Sequence, residues 1–224
     1  MQPQYSEKTY NNVLAVLGKN ARRGLRMPNP VFPGGQEVIT QPIYDSASFA
    51  ANAAMAKTTL FQTPIGNSGK TLAQTNMQLA GQLPNPQRLM VRSIQLGFSS
   101  NTTPTDANNF LENCSFTLIV GKKPMLETPC IYLTAGCGAI LNAVSNVGTV
   151  PAGSAATYST ANGVQDQANR FWLSVPFMLE QGETFQVVIV PETAFNFQAN
   201  TTNPVGVGTT IRVALSGELY RSIQ

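Results

Sequence analysis

Residues 171–190 read FWLSVPFMLEQGETFQVVIV, and this stretch decides the predicted fold. Large apolar residues occupy every second position in two runs, which places each apolar set on one face of a β-strand. The intervening residues 180–183, EQGE, are short and contain a glycine, so we predict a hairpin connection. Pro176 cannot donate to a strand ladder, which predicts that its strand lies at a sheet edge or ends there. The predicted inward-facing residues are Phe171, Leu173, Val175, Phe177 and Leu179 in the first run and Phe185, Val187 and Ile189 in the second.

Strand patterns also occur on both sides of this stretch. Apolar alternation changes phase within residues 89–98, and a β-bulge near Arg92 and Ser93 explains the change. Further strands are predicted near residues 58–61, 71–79, 116–120, 125–133 and 211–220, with one short helix over residues 105–112. Strands without long intervening helices predict an all-β protein, an antiparallel jelly-roll β-sandwich or barrel.

The chain divides into an N-terminal arm with its connector, residues 1–57, and a jelly-roll domain, residues 58–224, with a long loop at residues 134–170. Within the arm, an apolar stripe predicts a short helix over residues 6–17. Residues 28–42 contain four prolines and a glycine pair, which is typical of an extended connector. Asp45 or Ser46 is expected to cap a short alanine-rich helix that ends near residue 57.

The composition suggests a surface that is polar without being strongly charged. Charged residues make up 11% of the chain, against about 25% in an average soluble protein. The chain contains 19 Asn and 16 Gln, so amides outnumber the 25 charged side chains. Burying an amide in a contact costs less than burying a charge, so this surface suits extensive subunit contact. An extracellular or heat-tolerant β protein with a neutral surface is the alternative interpretation.

Positive charge is concentrated in the arm. Residues 1–30 carry five basic side chains and one acidic side chain, a net charge of +4, whereas the remaining residues carry 9 basic and 10 acidic groups. This asymmetry predicts an anionic partner for the arm. Nucleic acid and anionic lipid both offer phosphate groups, and packing of the arm on a neighbouring subunit is a third alternative. The predicted nucleic-acid-facing or membrane-facing residues are Lys8, Lys19, Arg22, Arg23 and Arg26.

No motif in the sequence predicts catalysis, and we expect no enzyme activity, metal or cofactor. The chain contains no histidine, the commonest general base and transition-metal ligand. Residues 66–71, GNSGKT, are similar to a phosphate loop, but Pro64 occupies the position of the first glycine, so we interpret the segment as a turn. Glu180 and Glu183 flank a turn, where carboxylates are normally solvated. Three cysteines without C-x-x-C spacing predict buried free thiols and assembly in a reducing cytoplasm.

Four segments resemble jelly-roll major capsid proteins of tailless icosahedral bacteriophages, including those with an internal membrane. These segments are AGQLPNPQRLMVRSIQL (residues 80–96), LTAGCGAI (133–140), FMLEQGETFQVVIV (177–190) and ALSGELYRSIQ (214–224). The resemblance implies an upright β-barrel that tiles an icosahedral shell as a homo-oligomer, with or without other coat proteins. It covers residues 80–224 and leaves the arm and the 134–170 segment uncovered.

The expected function is therefore that of a viral coat protein. Such a protein would assemble in the host cytoplasm around the genome, with or without an internal lipid layer, and remain in the virion. The alternative is a carbohydrate-binding or receptor-binding β-sandwich of a phage or cell surface. Sugar sites usually present exposed aromatic side chains, and here aromatic residues make up only 8% of the chain.

Overall fold

The computed structural model describes residues 31–32, 36–99, 102–134, 140–144, 157–161, 170–197 and 208–222. Within them the protein is mostly β-strand, arranged in two larger antiparallel sheets and one small hairpin, with few helices. In chain order the strands are β1 (Val31–Phe32), β2 (Gln36–Thr40), β3 (Ile43–Ser48), β4 (Thr58–Leu60), β5 (Arg88–Phe98), β6 (Cys114–Val120), β7 (Lys123–Pro129), β8 (Ile140–Val144), β9 (Thr157–Ala161), β10 (Phe171–Leu179), β11 (Phe185–Pro191) and β12 (Thr210–Ser222). The α-helices are α1 (Pro104–Asn113) and α2 (Cys130–Thr134). The all-β prediction is confirmed.

Each large sheet places its strands in an order far from their order in the chain. The six-stranded sheet runs β1-β2-β12-β5-β10, and β3 joins it by pairing with β12. The four-stranded sheet runs β4-β11-β6-β7. The strands β3 and β4 therefore flank one side of the sandwich, and β10 and β7 flank the other.

One hydrophobic core includes apolar side chains from both sheets. Alternate residues of β6 are buried, as its period-two pattern predicts. In β11 the alternating residues Phe185, Val187 and Ile189 are buried, and Val188 between them is buried as well. The largest buried side chains are aromatic, and the Phe61 and Phe185 rings lie with their centroids 5.5 Å apart. Phe185 is only 1% exposed, which confirms its predicted place in the core.

Helix α1 confirms the short helix predicted over residues 105–112. Its N-cap is Thr103, whose side chain accepts the backbone N–H of Asp106 at 3.1 Å. Pro104 occupies the first turn, where a missing N–H costs nothing. The helix buries Phe110, whose ring meets Phe98 of β5 edge-on at 5.8 Å between centroids.

The predicted hairpin over residues 171–190 is wrong in its pairing. Strand β10 pairs with β5 in the six-stranded sheet, whereas β11 pairs with β4 and β6 in the four-stranded sheet. The turn at residues 180–184 therefore crosses from one sheet to the other. Alternation identifies the apolar face of each strand, and two facing sheets satisfy it as well as one hairpin does.

Strand β10 confirms one prediction and corrects another. It is the terminal strand of its sheet, as Pro176 predicted. Its register shifts between Trp172 and Phe177, so that four residues lie opposite Arg92 alone. This irregularity leaves Val175 79% exposed, although the sequence pattern predicted that it faces the core.

The bulge predicted near Arg92 and Ser93 is confirmed. Ser216 and Gly217 of β12 pair with Ser93 and Val91, which leaves Arg92 as the extra residue of β5. A Cβ atom on Gly217 would lie 1.7 Å from the carbonyl oxygen of Met90. The bulge therefore requires glycine at this position of the neighbouring strand.

Strand formation begins earlier in the chain than the sequence predicted. The strands β1, β2 and β3 precede residue 58, where the predicted domain began, and β3 pairs with residues 210–215 of β12. The short helix predicted from Asp45 or Ser46 is wrong, because both residues lie in β3 with buried side chains. Asp45 is an unfavourable strand residue by propensity, and tertiary contacts described below hold it there.

Two further segments differ from their predictions, one predicted as a strand and the other predicted as a loop. Residues 71–79 form turns instead of a strand. The predicted loop at residues 134–170 contains a hairpin, in which β8 pairs with β9 in antiparallel register. This hairpin contacts α1. The predicted arm helix over residues 6–17 lies outside the described residues.

Candidate interaction surfaces

The five basic residues of the predicted arm site remain a prediction. Lys8, Lys19, Arg22, Arg23 and Arg26 all lie outside the residues that the structure describes. The candidate surfaces that can be built from contacts are therefore on the sandwich itself.

The lysine of the phosphate-loop-like segment is bound by a buried carboxylate. Lys70 Nζ lies 2.6 Å from Asp45 Oδ1, and the two side chains are 20% and 1% exposed. The second oxygen, Asp45 Oδ2, accepts the backbone N–H of Phe61 at 2.6 Å. Because Asp45 already neutralises Lys70, this lysine is a poor ligand for a phosphate group. The interpretation of residues 66–71 as a turn is confirmed, with Asn67–Gly69 forming one 3-10 turn.

The same loop covers the free side of strand β3. The Tyr44 N–H donates to Asn76 Oδ1 at 2.8 Å, and the Asn76 side-chain amide donates to the Pro42 carbonyl at 2.8 Å. Thr75 Oγ1 donates to the Tyr44 carbonyl at 3.2 Å, and Ser46 Oγ of β3 donates to the Gln74 carbonyl of the loop at 2.8 Å. The Asn76 amide and the Thr75 hydroxyl thus satisfy backbone groups in and beside β3 that a neighbouring strand would otherwise pair.

This covering loop exposes three large apolar side chains. We call residues 61–79 the loop edge; they contact β3 through Phe61, Lys70 and residues 72–76. Leu72 is 61% exposed, and Ile65 and Leu79 are also exposed. Lys70 is the one charged residue between residues 62 and 79, and Asp45 neutralises it. The exposed guanidinium of Arg212 in β12 lies beside the loop and donates to the Ala73 carbonyl at 2.7 Å. The loop edge is therefore apolar in places and has one cation at its border.

The opposite side of the sandwich has a larger exposed apolar surface. We call this surface, formed by β7, α2 and β10, the open edge. Strands β7 and β10 are the terminal strands of their sheets, and α2 contacts both. Its exposed large apolar residues are Met125, Ile131, Tyr132, Trp172 and Val175.

On α2 and β10 the open edge lacks the charges that usually protect sheet edges, whereas β7 carries two exposed charges of opposite sign, Lys123 and Glu127. Residues 128–134 and 171–179, TPCIYLT and FWLSVPFML, contain no charged side chain. Monomeric proteins commonly block an exposed edge strand with lysine or another charged residue. An apolar edge whose only two charges, of opposite sign, lie on β7 is typical of a surface that another polypeptide covers.

Each of the two turn carboxylates, Glu180 and Glu183, has a partner in the structure. Glu180 is exposed, and a carboxylate oxygen of it lies 3.0 Å from Arg88 Nε. Glu183 accepts the backbone N–H of Glu180 at 3.2 Å and so stabilises the turn. Both groups therefore have structural partners on the molecular surface.

Two of the three cysteines are buried free thiols, as predicted. Burial raises the pKa of the Cys114 thiol to about 12, with a smaller contribution from the negative charge of Glu192. Burial also raises the pKa of Cys130, and Cys114 adds to that effect. Protonated, buried thiols are poor nucleophiles and poor metal ligands. Cys137 lies outside the described residues.

Two surface clefts in the described part of the chain are small for a ligand site. Their volumes are about 100 and 110 Å³, whereas small-molecule sites commonly measure about 300–1,000 Å³. Among the described residues, no three His, Cys, Asp or Glu side chains form a group suited to a metal ion. No helix that the structure describes is both long and apolar enough to span a membrane.

Two comparisons with known proteins returned no match. No protein-family model matches the chain, and no curated protein matches it. The fold, the charge distribution and the two edges are therefore the basis for a proposed function.

Sequence patterns alone missed both edges as surfaces. The sequence signal for the open edge was the uncharged run of residues 171–179. We interpreted that run as a strand whose alternate side chains are buried in the core. The loop edge had no comparable signal, because its position over β3 depends on hydrogen bonds between residues about 30 positions apart.

Proposed function

We propose that this protein is a jelly-roll coat protein that self-assembles into an icosahedral viral shell around a genome. It would act as a homo-oligomer, with or without a second coat protein and with or without an internal lipid layer. No catalytic step is part of this function. Its place would be the virion, after assembly in the cytoplasm of a host.

The order of the strands supports the jelly roll. Of the ten strands in the two larger sheets, β1 and β2 extend one sheet beyond β12, and the other eight follow one pairing pattern: β3, β4, β5, β6, β7, β10, β11 and β12. The first pairs with the eighth, the second with the seventh, the third with the sixth and the fourth with the fifth. This is the pairing that results when one long antiparallel ribbon is rolled into a sandwich, and jelly rolls are common in viral capsids and in lectins.

The open edge is the observation that carries assembly. Val175 is 79% exposed and Tyr132 is 58% exposed on an edge that has no charged residue on α2 or β10. The chain as a whole contains more amide than charged side chains, so subunit contacts would bury few charges. Both properties favour a protein whose function is to contact other subunits.

A carbohydrate-binding or receptor-binding protein is the second candidate. Tyr132 and Trp172 are exposed aromatic side chains on α2 and β10, and sugar sites often use such side chains for stacking. Lectins also use jelly rolls. The same residues therefore support two functions that differ in oligomeric state.

Electron microscopy and sedimentation velocity of the purified full-length protein distinguish these functions. Closed shells, flat sheets or ring-shaped capsomers are expected for a coat protein. A monodisperse monomer that binds a glycan array, and loses that binding in a Trp172→Ala variant, would contradict the coat function and favour the second candidate.

The basic arm would contact phosphate groups on the inner side of the shell. A variant that begins at Met27 loses all five basic residues of the predicted site. We expect it to retain its β-rich circular dichroism spectrum and to lose binding to anionic vesicles or to DNA. Wild-type binding should weaken as salt is raised. Equal binding by the truncated and full-length proteins to both ligands would instead identify the arm as a clamp between subunits.

A further inference from the structure

The two exposed apolar surfaces lie on opposite sides of one molecule. In the six-stranded sheet β3 and β10 are separated by β12 and β5, and in the four-stranded sheet β4 and β7 are separated by β11 and β6. The loop edge covers β3, whereas the open edge includes β7 and β10. A single chain therefore presents two different apolar surfaces that face away from each other.

All the exposed large apolar side chains of the described residues lie on these two surfaces. Three are on the loop edge and five are on the open edge. The exposed members are Ile65, Leu72 and Leu79 on the first and Met125, Ile131, Tyr132, Trp172 and Val175 on the second. Such a distribution is unlike the scattered single residues of an ordinary surface.

The charges of the two edges argue for contact with each other. Residues 62–79 contain Lys70 as their one charged residue, and its partner Asp45 belongs to the same chain. The segments 128–134 and 171–179 of the open edge contain none, and β7 adds one cation and one anion, Lys123 and Glu127, which are both exposed and offset each other. Beside the loop edge lies one further cation, Arg212, which donates to the Ala73 carbonyl at 2.7 Å. Single cations give little affinity for nucleic acid or anionic lipid, which several cations together would bind. An apolar surface with little net charge is the matching partner, and the chain itself supplies one.

We propose that the open edge of one copy binds the loop edge of the next copy, in a head-to-tail contact between identical chains. The inference rests on the coat function proposed above and specifies the contact between its subunits. Because the two surfaces differ, the contact is heterologous, and repeated contacts close into a ring when the rotation between copies permits it. Rings of this kind would be the capsomers of the shell.

The size of the open edge is compatible with one part of a protein interface. Aromatic side chains bury about 150–250 Å² each. With Tyr132 58% and Trp172 48% exposed, these two still present roughly 160–270 Å². A standard interface buries about 800 Å² on each partner. The two aromatic residues would provide roughly a fifth to a third of that area, and the rest would come from the strand edges and α2.

The test uses one charge on each edge of the full-length chain. Val175→Asp alters the open edge, and Leu72→Asp alters the loop edge. Both wild-type side chains are more than half exposed, at 79% and 61%, so neither change removes core packing. Asn108→Asp, on the exposed surface of α1, is the matched control for added negative charge. Circular dichroism melts check that all variants keep the wild-type fold.

Native mass spectrometry and sedimentation velocity then give the association state. We expect the wild type and Asn108→Asp to form the same oligomers, and each edge variant alone to be monomeric, with at least about a tenfold loss of association. A mixture of Val175→Asp and Leu72→Asp should form heterodimers, because each chain retains the edge that the other lacks. A heterodimer from two monomeric variants is the signature of a heterologous contact.

Other outcomes overturn this contact or the coat function separately. Dimers of Leu72→Asp alone would show that the open edge binds another open edge. The head-to-tail contact would also be overturned if the mixture of the two edge variants stayed monomeric, or if the edge variants assembled like the wild type. Closed shells built by Val175→Asp would refute the contact and leave the coat function standing. If the wild type forms rings that both edge variants lose, but never forms a closed shell, the coat function is refuted and the contact stands. A wild type that stays monomeric refutes both.

Discussion

Replacing Lys70 by methionine should destabilise the protein strongly. Among the described residues, Lys70 is the one cation that forms an ion pair with Asp45. The Asp45 side chain is 1% exposed. The Phe61 N–H, at 2.6 Å from Oδ2, is a dipole and does not neutralise the remaining charge. Methionine has nearly the length of the lysine stem, so the substitution removes the charge with little change in packing volume.

The expected loss of unfolding free energy is about 3–5 kcal/mol, the usual cost of removing one partner of a buried ion pair. The upper part of that range assumes that Asp45 stays dry. Because Lys70 is 20% exposed, water can approach the vacated position, so a value near the lower end is expected. Against a typical total stability of about 5–15 kcal/mol, even this loss is large.

A second substitution isolates the charge as the cause. In the double variant Asp45→Asn/Lys70→Met, the asparagine carbonyl can still accept the Phe61 N–H, but no buried charge remains. We expect the double variant to regain most of the stability that Lys70→Met loses. Replacing both members of a buried ion pair by uncharged residues often changes the free energy of unfolding very little.

Urea unfolding followed by far-ultraviolet circular dichroism measures both effects. The midpoint should fall in Lys70→Met and recover in the double variant, with an unchanged dependence of free energy on urea concentration. A loss below about 1 kcal/mol in Lys70→Met, the range of an ordinary surface ion pair, would refute the reasoning. A double variant no more stable than Lys70→Met would also refute it, because the remaining charge could not then be the cause.

Three further predictions concern the core, the bulge and the buried thiols. Phe185→Ala should lower the free energy of urea unfolding by about 3–5 kcal/mol, because the ring is 1% exposed. Val175→Ala, at an exposed position, should change it by less than about 0.5 kcal/mol. Equal losses would contradict the placement of Phe185 in the core and of Val175 on the surface. Gly217→Ala should lower the melting temperature more than Gly66→Ala. The new Cβ atom at position 217 would lie 1.7 Å from the Met90 carbonyl oxygen, whereas a Cβ atom at position 66 would have no atom within 4 Å. The alanine at position 66 would meet only the cost of its positive φ, about 1–2 kcal/mol. The folded protein holds the Cys114 proton up to a pKa of about 12, against 9.0 ordinarily, so unfolding free energy should fall as pH rises from about 9 toward 12. Cys114→Ala should flatten that fall in a pH series of urea midpoints, and an unchanged slope would contradict the raised pKa.

Local patterns were sufficient wherever burial follows the residue period. Alternation in residues 89–98 predicted both the strand β5 and its bulge, because a phase change in side-chain burial requires one extra residue in the ladder. The N-cap Thr103, followed by Pro104, similarly marks the start of α1 within the sequence itself. These features depend on neighbours close in the chain.

Predictions were wrong where a distant partner changed the preference of a residue. Asp45 is typical of a helix cap or a turn, but its contacts with Phe61 and Lys70 place it in β3. Those partners are 16 and 25 residues away, so no local pattern contains them. Val175 likewise continues the alternation of β10 in sequence, and only the shifted register against β5 turns it outward.

The sequence by itself determined the all-β class, the apolar face of most strands, the neutral body and the basic arm, because each depends on composition or on the period of one segment. Which sheet each strand joins was decided by tertiary structure: β10 and β11 have the same alternating pattern but lie in opposite layers. The two edges were decided in the same way. A strand becomes an edge when no other strand pairs with its outer side, and that depends on the whole order of the sheet and not on the residues of the strand.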